Sequence, residues 1–243
     1  MKVLVPEPHL AGFLTAVYHA YYTHKDAGKI SSAPQAVTLL DEAIEVATDL
    51  RLACKVRKGI QRKAGVAAYT EIANAYLSCD DKKEEKIFNY LQLLFRYGRA
   101  VLTMYANPEV IAFRDVYNKV MHEVHRFTGF LRFQELASGV YYSYFGGDND
   151  IIELLMPHFK TRLNTQKFIL HDIKRGKLTY WDGAAIHLVP APDTVNILLS
   201  DNEILFSSLW KQYHKNVAID GRKNLKLQTR LVPKKYRWFM NEF

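Results

Sequence analysis

Apolar positions change their period part-way along the chain, and that change sets the expected architecture. Before Gly129 they recur at helical spacing; beyond it they alternate. Phe13, Leu14, Val17, Tyr18 and Tyr21 share one helical face and predict a helix over residues 10–22. Residues 1–5, in front of it, alternate as a short strand stopped by Pro6 and Pro8. Residues 28–34 read as a loop and residues 43–47 as a second strand. Thr48-Asp49 offers a cap for a helix over 50–63, Gly65 breaks it, and another runs over 66–77. Residues 78–81 cap a helix expected to reach Tyr105. Its Ile87, Tyr90, Leu91, Leu94, Phe95 and Val101 cover more than one face, as in a central buried helix. Asn107-Pro108 pairs an N-cap with proline at the first helical position. The stripe that follows is Val110, Phe113, Tyr117, Val120, Val124 and Phe127.

Residues 130–136 and 140–145 alternate around Ala137-Ser138-Gly139, the pattern of a hairpin. Residues 148–150 cap a helix that runs to Arg162. Strands over 168–172 and 178–181 flank the basic turn Lys174-Arg175-Gly176-Lys177, and residues 185–189 make a further strand. Asp201-Asn202-Glu203 opens a last long helix to Val217, and the tail from Asp220 is basic and aromatic without a period. The expected fold class is α+β: a mainly helical part, residues 1–128, packed on a small antiparallel sheet with helices, residues 129–243, as one unit.

A chain of 243 residues with 49% hydrophobic and 24% charged content suits a globular protein. No apolar run approaches the roughly 18 residues of a membrane span. Prolines stand where a signal peptide needs an apolar segment, so a cytoplasmic location is expected. Cys54 and Cys79 form no CxxC, which argues against a disulfide framework, a zinc ribbon or an iron–sulfur cluster; no cofactor is expected. The net charge of +8 is unevenly placed. From Pro157 onward there are fifteen Lys and Arg against seven Asp and Glu; before it there are eighteen of each. A neutral front and a basic back point to a polyanion-facing surface on the C-terminal side, set against a solvated basic face with no partner.

The densest chemistry lies between His122 and Phe133. His122, Glu123, His125 and Arg126 end a helix there. The two histidines are three apart, whereas the zinc-protease motif needs four, so a metal would require a ligand such as His158, His171 or Asp172; no metal site is assigned. Glu123 at the edge of the stripe can instead pair with Arg132, which is expected on an aromatic-flanked strand as a phosphate contact or an ion-pair partner. His171-Asp172 can serve acid/base chemistry or orient a structural histidine. There is no Gly-x-Ser-x-Gly elbow, Walker A loop or Gly-x-Gly-x-x-Gly. Catalytic candidates are therefore Glu123, His125, His171 and Asp172. Candidates for nucleic-acid contact are Arg126, Arg132, Arg162, Lys174, Arg175, Arg222, Lys223, Gln228, Lys234, Lys235 and Tyr236. Trp210 and Tyr213 are expected in the core rather than as base platforms.

His125-Arg126-Phe127 with Gly129-Phe130-Leu131-Arg132-Phe133 resembles the signature of a bacterial domain family of unknown function associated with DNA metabolism and DNA repair. Pro157-His158-Phe159 with Arg162, Ile169-Leu170-His171-Asp172 with Lys174-Arg175, Trp210-Lys211, Arg222-Lys223-Asn224, Gln228 and Val232-Pro233-Lys234-Lys235-Tyr236 continue the similarity. Gly12 to Val17 and Ala75 to Ser78 extend it over nearly the whole chain. Pro6-Glu7-Pro8-His9, Phe168 and Val232 depart from the pattern, where an acidic Asp-Gly turn, a tryptophan and a methionine are common. The resemblance implies a DNA-binding accessory to a radical-SAM protein of DNA repair or modification, with a uracil-DNA-glycosylase-like protein as a further associate. It carries over no catalytic residue. A nucleic-acid-processing enzyme and a non-catalytic scaffold stand as alternatives, and no membrane partner is expected.

Overall fold

The computed structural model describes residues 2–33, 38, 40–192 and 197–240, and the chain divides into two units, Met1–His122 and Glu123–Phe243. Met1 and Pro34, at the ends of two expected segments, lie outside the described residues.

In the first unit β1 (Lys2–Pro6) is the middle strand of a parallel sheet ordered β2-β1-β3, with β2 at Ala27–Ile30 and β3 at Glu42–Val46. Val3 and Leu4 are both fully buried, as a parallel strand requires when both faces are covered. β2 falls where a loop is expected. Ala-Gly-Lys-Ile is too short to show an alternation, and its pairing with β1 and the burial of Ala27 and Ile30 make it a strand.

Helices α1 (Leu10–Tyr22), α2 (Leu50–Ala64) and α3 (Val66–Tyr76) lie where the periodicity places them. The Asp49 carboxylate caps α2, accepting from the amides of Arg51 at 2.7 Å and Leu52 at 3.2 Å. The next helix stops sooner than expected. α4 covers Lys83–Tyr97, and a 3-10 turn continues over Gly98–Thr103. Gly98 adopts φ +60, a left-handed conformation that ends an α-helix cheaply only at glycine. Ile87, Phe88, Tyr90, Leu91 and Leu94 are buried, so α4 is the central helix of this unit. Its Glu84 is also buried, accepting from the hydroxyls of Ser32 at 2.8 Å and Tyr76 at 2.9 Å.

α5 (Pro108–Phe130) begins at Asn107, whose side chain accepts from the Glu109 amide at 2.9 Å. Val110, Phe113, Val116, Val120 and Phe127 are buried along it, and Phe113 stacks on Tyr90 at 3.9 Å. The stripe carries the helix past Gly129, so the strand expected from Phe130 shrinks to β4 (Gln134–Glu135).

The second unit has a five-stranded sheet ordered β4-β5-β6-β7-β8, with β5 at Tyr141–Phe145, β6 at Phe168–Asp172, β7 at Lys177–Trp181 and β8 at Ile186–Pro190. The fold is α+β, as the sequence pattern indicates. Three of the sheet's seams are antiparallel, but β5 and β6 run parallel because α6 (Ile152–Arg162) forms the crossover between them. Ile151 occupies the N-cap of α6, not one of residues 148–150; those three side chains bind elsewhere. α7 (Asp201–Val217) is capped by the Ser200 hydroxyl and has no buried residue. Two short helices, α8 (Leu225–Leu231) and α9 (Lys234–Arg237), follow in the tail.

Candidate nucleic-acid interface

The end of α5 delivers Glu123 into the interior, with 3% of its surface exposed. Its carboxylate accepts from the Asp148 amide at 2.9 Å, the Asn149 amide at 2.8 Å, the Asn149 side-chain amide at 2.7 Å and the Tyr236 hydroxyl at 3.4 Å. Two backbone donors of the turn after β5 are thereby satisfied by a charge rather than by water. The expected pairing of Glu123 with Arg132 is replaced by these four bonds. Arg132 instead donates to the carbonyls of Gly129 at 2.7 Å and Leu131 at 3.3 Å, from a loop and not from a strand.

Asp172, fully buried at the end of β6, holds the opposite side of the same turn. It accepts from the Lys174 amide at 3.1 Å, the Arg175 amide at 3.3 Å and the Arg175 guanidinium at 3.0 Å. Arg175 also donates to the carbonyls of Gly147 and Asp148. Asp148 bonds Lys235 and lies 3.4 Å from the Lys174 ammonium; the bond from Lys235 first, and Lys174 after it, hold its carboxyl below the usual carboxylate range. Burial works against the charge on Lys235, and its bonds to Asp148 and Tyr236 outweigh that, raising its pKa. Tyr236 is 2% exposed, its ring 5.2 Å from Phe127 and 5.5 Å from Phe130, and the Arg126 guanidinium lies 5.9 Å from it. Its face is turned to the protein and not to a base. Glu123, Asp172, Arg175 and Tyr236 therefore form a structural knot, with Lys174 and Lys235 on its rim.

His125 is exposed on α5. Among the described residues no group of three or more His, Cys, Asp or Glu comes together to hold a metal. His171 neighbours Asp172 in sequence, but adjacent strand residues face opposite ways. His171 meets the Tyr142 hydroxyl at 2.8 Å, at the wall of a cleft of about 510 Å³ that Tyr144 and Ile173 also line. Burial lowers its pKa, with Asp172 opposing, so the neutral ring accepts the Tyr142 proton at Nδ1.

A second cleft, of about 630 Å³, brings together two of the arginines singled out in the sequence, Arg132 and Arg162. Phe133 and Tyr141 line one part of it; Phe206 and Trp210 come from α7. Trp210 and Tyr213, expected in the core, are 44% and 58% exposed and stack with centroids 5.8 Å apart. The residues of α7 that face the unit are polar: Glu203 accepts from the Glu135 amide at 3.1 Å and from the Ser207 hydroxyl at 2.7 Å. The apolar side chains therefore project outward, contrary to the usual sense of an amphipathic helix. Tyr141 and Phe206 were not legible as cleft residues, because only the packing of α7 beside β4 brings them near Arg132. The other basic candidates, Arg222, Lys223 and Lys234, are exposed, and Gln228 is half-buried on α8.

A family model matches residues 81–242, two thirds of the chain. The chain belongs to the DUF4130 family, a domain of unknown function. The DUF4130 match takes in α4, α5 and the described elements of the second unit, while β1 to β3 and α1 to α3 precede it. No curated protein and no solved structure matches the chain. Among the described residues no helix is long and apolar enough to cross a membrane.

Proposed function

We propose that this DUF4130 protein is a nucleic-acid-binding accessory of DNA metabolism, acting in the cytoplasm and gripping a strand at the Arg132–Arg162 cleft. The observation that carries the proposal is the pairing of two guanidiniums with exposed aromatic rings in one cleft. Guanidiniums bind phosphate by geometry as well as charge, and exposed indole and phenol rings stack on unpaired bases. The exposed cations Arg222, Lys223 and Lys234 extend the same charge over the tail. A radical-SAM protein of DNA repair or modification is the partner that the sequence resemblance implies, with a uracil-DNA-glycosylase-like protein as a further associate; co-purification from cells tests both.

The direct test is fluorescence anisotropy with labelled single-stranded and duplex DNA across a salt series. Affinity should fall steeply with salt, and Arg132→Ala with Arg162→Ala should reduce the slope by about one unit for each phosphate no longer neutralised. Absence of binding to either DNA at about 50 mM salt refutes the proposal. A second reading, a nucleic-acid-processing enzyme, draws on the Tyr142–His171 pair at its cleft wall. Of Glu123, His125, His171 and Asp172, only His171 lines one of these clefts, and full retention of in-cell repair by His171→Ala would remove that reading.

A further inference from the structure

The first unit has a cleft of its own, of about 700 Å³, between α1, α2 and the end of α4. Its chemistry starts with the composition of α2. Arg51, Lys55, Arg57, Lys58, Arg62 and Lys63 lie on that helix with no acidic residue among them. Summing charge over the neutral front of the chain conceals this concentration. Lys55, Lys58 and Arg62, spaced three and four apart, share one face, and all three line the cleft. No carboxylate lines it, and no cation of α2 forms an ion pair among the described residues. Like charges at these spacings repel one another, a cost that a merely solvated helix avoids by mixing signs.

The facing wall is aromatic. Tyr18 and Tyr22 stack at 4.5 Å with their planes 28° apart, and Tyr22 is 69% exposed. Tyr21 meets Phe95 edge-on at 5.3 Å, and the Lys55 ammonium stands 5.5 Å from the Tyr18 ring. Gly59 lies against Phe95, where an added Cβ would come to 3.5 Å, so its missing side chain keeps the middle of the cleft open.

We infer that this cleft binds single-stranded nucleic acid, its bases stacking on the Tyr18–Tyr22 wall and its phosphates meeting Lys58, Arg62 and Lys63. A row of cations opposite stacked rings matches the two chemical faces of a nucleotide. Length decides for a strand over a lone nucleotide: at 1.5 Å rise per residue, Lys55 and Arg62 stand about 10 Å apart along the helix, a span wider than one phosphate. Base faces in a duplex are already stacked on each other, so a single strand fits the tyrosines better. The site uses residues of the first unit alone and does not depend on the Arg132–Arg162 cleft.

The test uses the full chain and an oligodeoxythymidylate of about twelve residues, within the span of known single-strand sites. A 5-iodouracil version should photo-cross-link to Tyr18 or Tyr22, read by mass spectrometry. Tyr22→Ala, at an exposed position, should weaken binding about tenfold, the size of one stacked base. Lys58→Glu with Arg62→Glu should lower the salt slope by about two units. The cross-link should survive Arg132→Ala with Arg162→Ala. Cross-links confined to the second unit, with first-unit variants binding as the parent does, overturn the inference and leave the proposed function standing. Competition by free adenylate as effective, per nucleotide, as that of the oligomer also overturns it, by reassigning the cleft to a mononucleotide.

Discussion

Glu123→Gln separates a structural carboxylate from a catalytic one. In the native protein its two oxygens face four donors: two backbone amides, one side-chain amide and one phenol. Glutamine keeps one oxygen and turns an NH2 group toward donors that cannot accept. Tyr236 can rotate its hydroxyl to accept from that group, but a backbone N–H cannot. One buried amide is thus left unmet and the remaining bonds lose their charge, a cost of about 2 kcal/mol. Glu123→Ala leaves all four donors without their acceptor and should cost about 4 kcal/mol, at the upper end for a single substitution. For a unit of this size each kcal/mol lowers Tm by about 4 °C, so the two variants should melt about 8 and 16 °C lower. Scanning calorimetry on the full chain, with near-ultraviolet circular dichroism to follow the aromatic cluster at Tyr236, measures both. A catalytic carboxylate is held at some expense in stability, and its amide leaves Tm unchanged or raises it. A Glu123→Gln protein melting within about 1 °C of the parent therefore refutes the structural assignment.

The same turn is sensitive to volume. A Cβ added at Gly147 would lie 3.3 Å from the Asn149 carbonyl oxygen, 3.4 Å from the Phe127 ring and 3.5 Å from the Glu123 carboxyl carbon. Gly147→Ala should cost about 1–3 kcal/mol, seen as a lower urea midpoint at constant m. His171 gives a pH signature. Its folded pKa lies below the ordinary 6.5, so its contribution to stability is complete above that pH. As pH falls through 6.5 toward the folded value, the unfolded chain binds the extra proton and that contribution disappears. Urea midpoints taken from pH 8 to 5 should fall less steeply in His171→Gln, which cannot titrate; a His171 resonance titrating above 6.5 contradicts the sign.

The helices of the first unit were legible because each carries its own signal. Asp49 caps α2 and Asn107 opens α5 within four residues of the groups they satisfy. What escaped was non-local. β2 is a strand because β1 lies beside it, and β5 and β6 are parallel because α6 crosses between them. Glu123 and Arg132 looked like partners at nine residues' distance, yet the donors Glu123 needs come from Asp148, Asn149 and Tyr236. Trp210 and Tyr213 have the spacing of core residues and are exposed, because Glu203 and Ser207 anchor the inner face of α7. The charge of α2 was local and legible, and a tally over too long a window averaged it away.

The knot at Glu123 also orders events in time. Glu123 and Tyr236 are 113 residues apart, and Asp148 and Lys235 are 87 apart. During synthesis from the N-terminus, α4 can dock in the first unit while most of the second has yet to leave the ribosome. Glu123 meanwhile has neither the turn at Asp148–Asn149 nor the tyrosine that closes over it. The aromatic cluster of Phe127 and Phe130 stays open to solvent until α9 emerges. For that interval the sheet of the second unit is a stretch of apolar strands without its final clasp, the state in which a nascent chain most needs a chaperone.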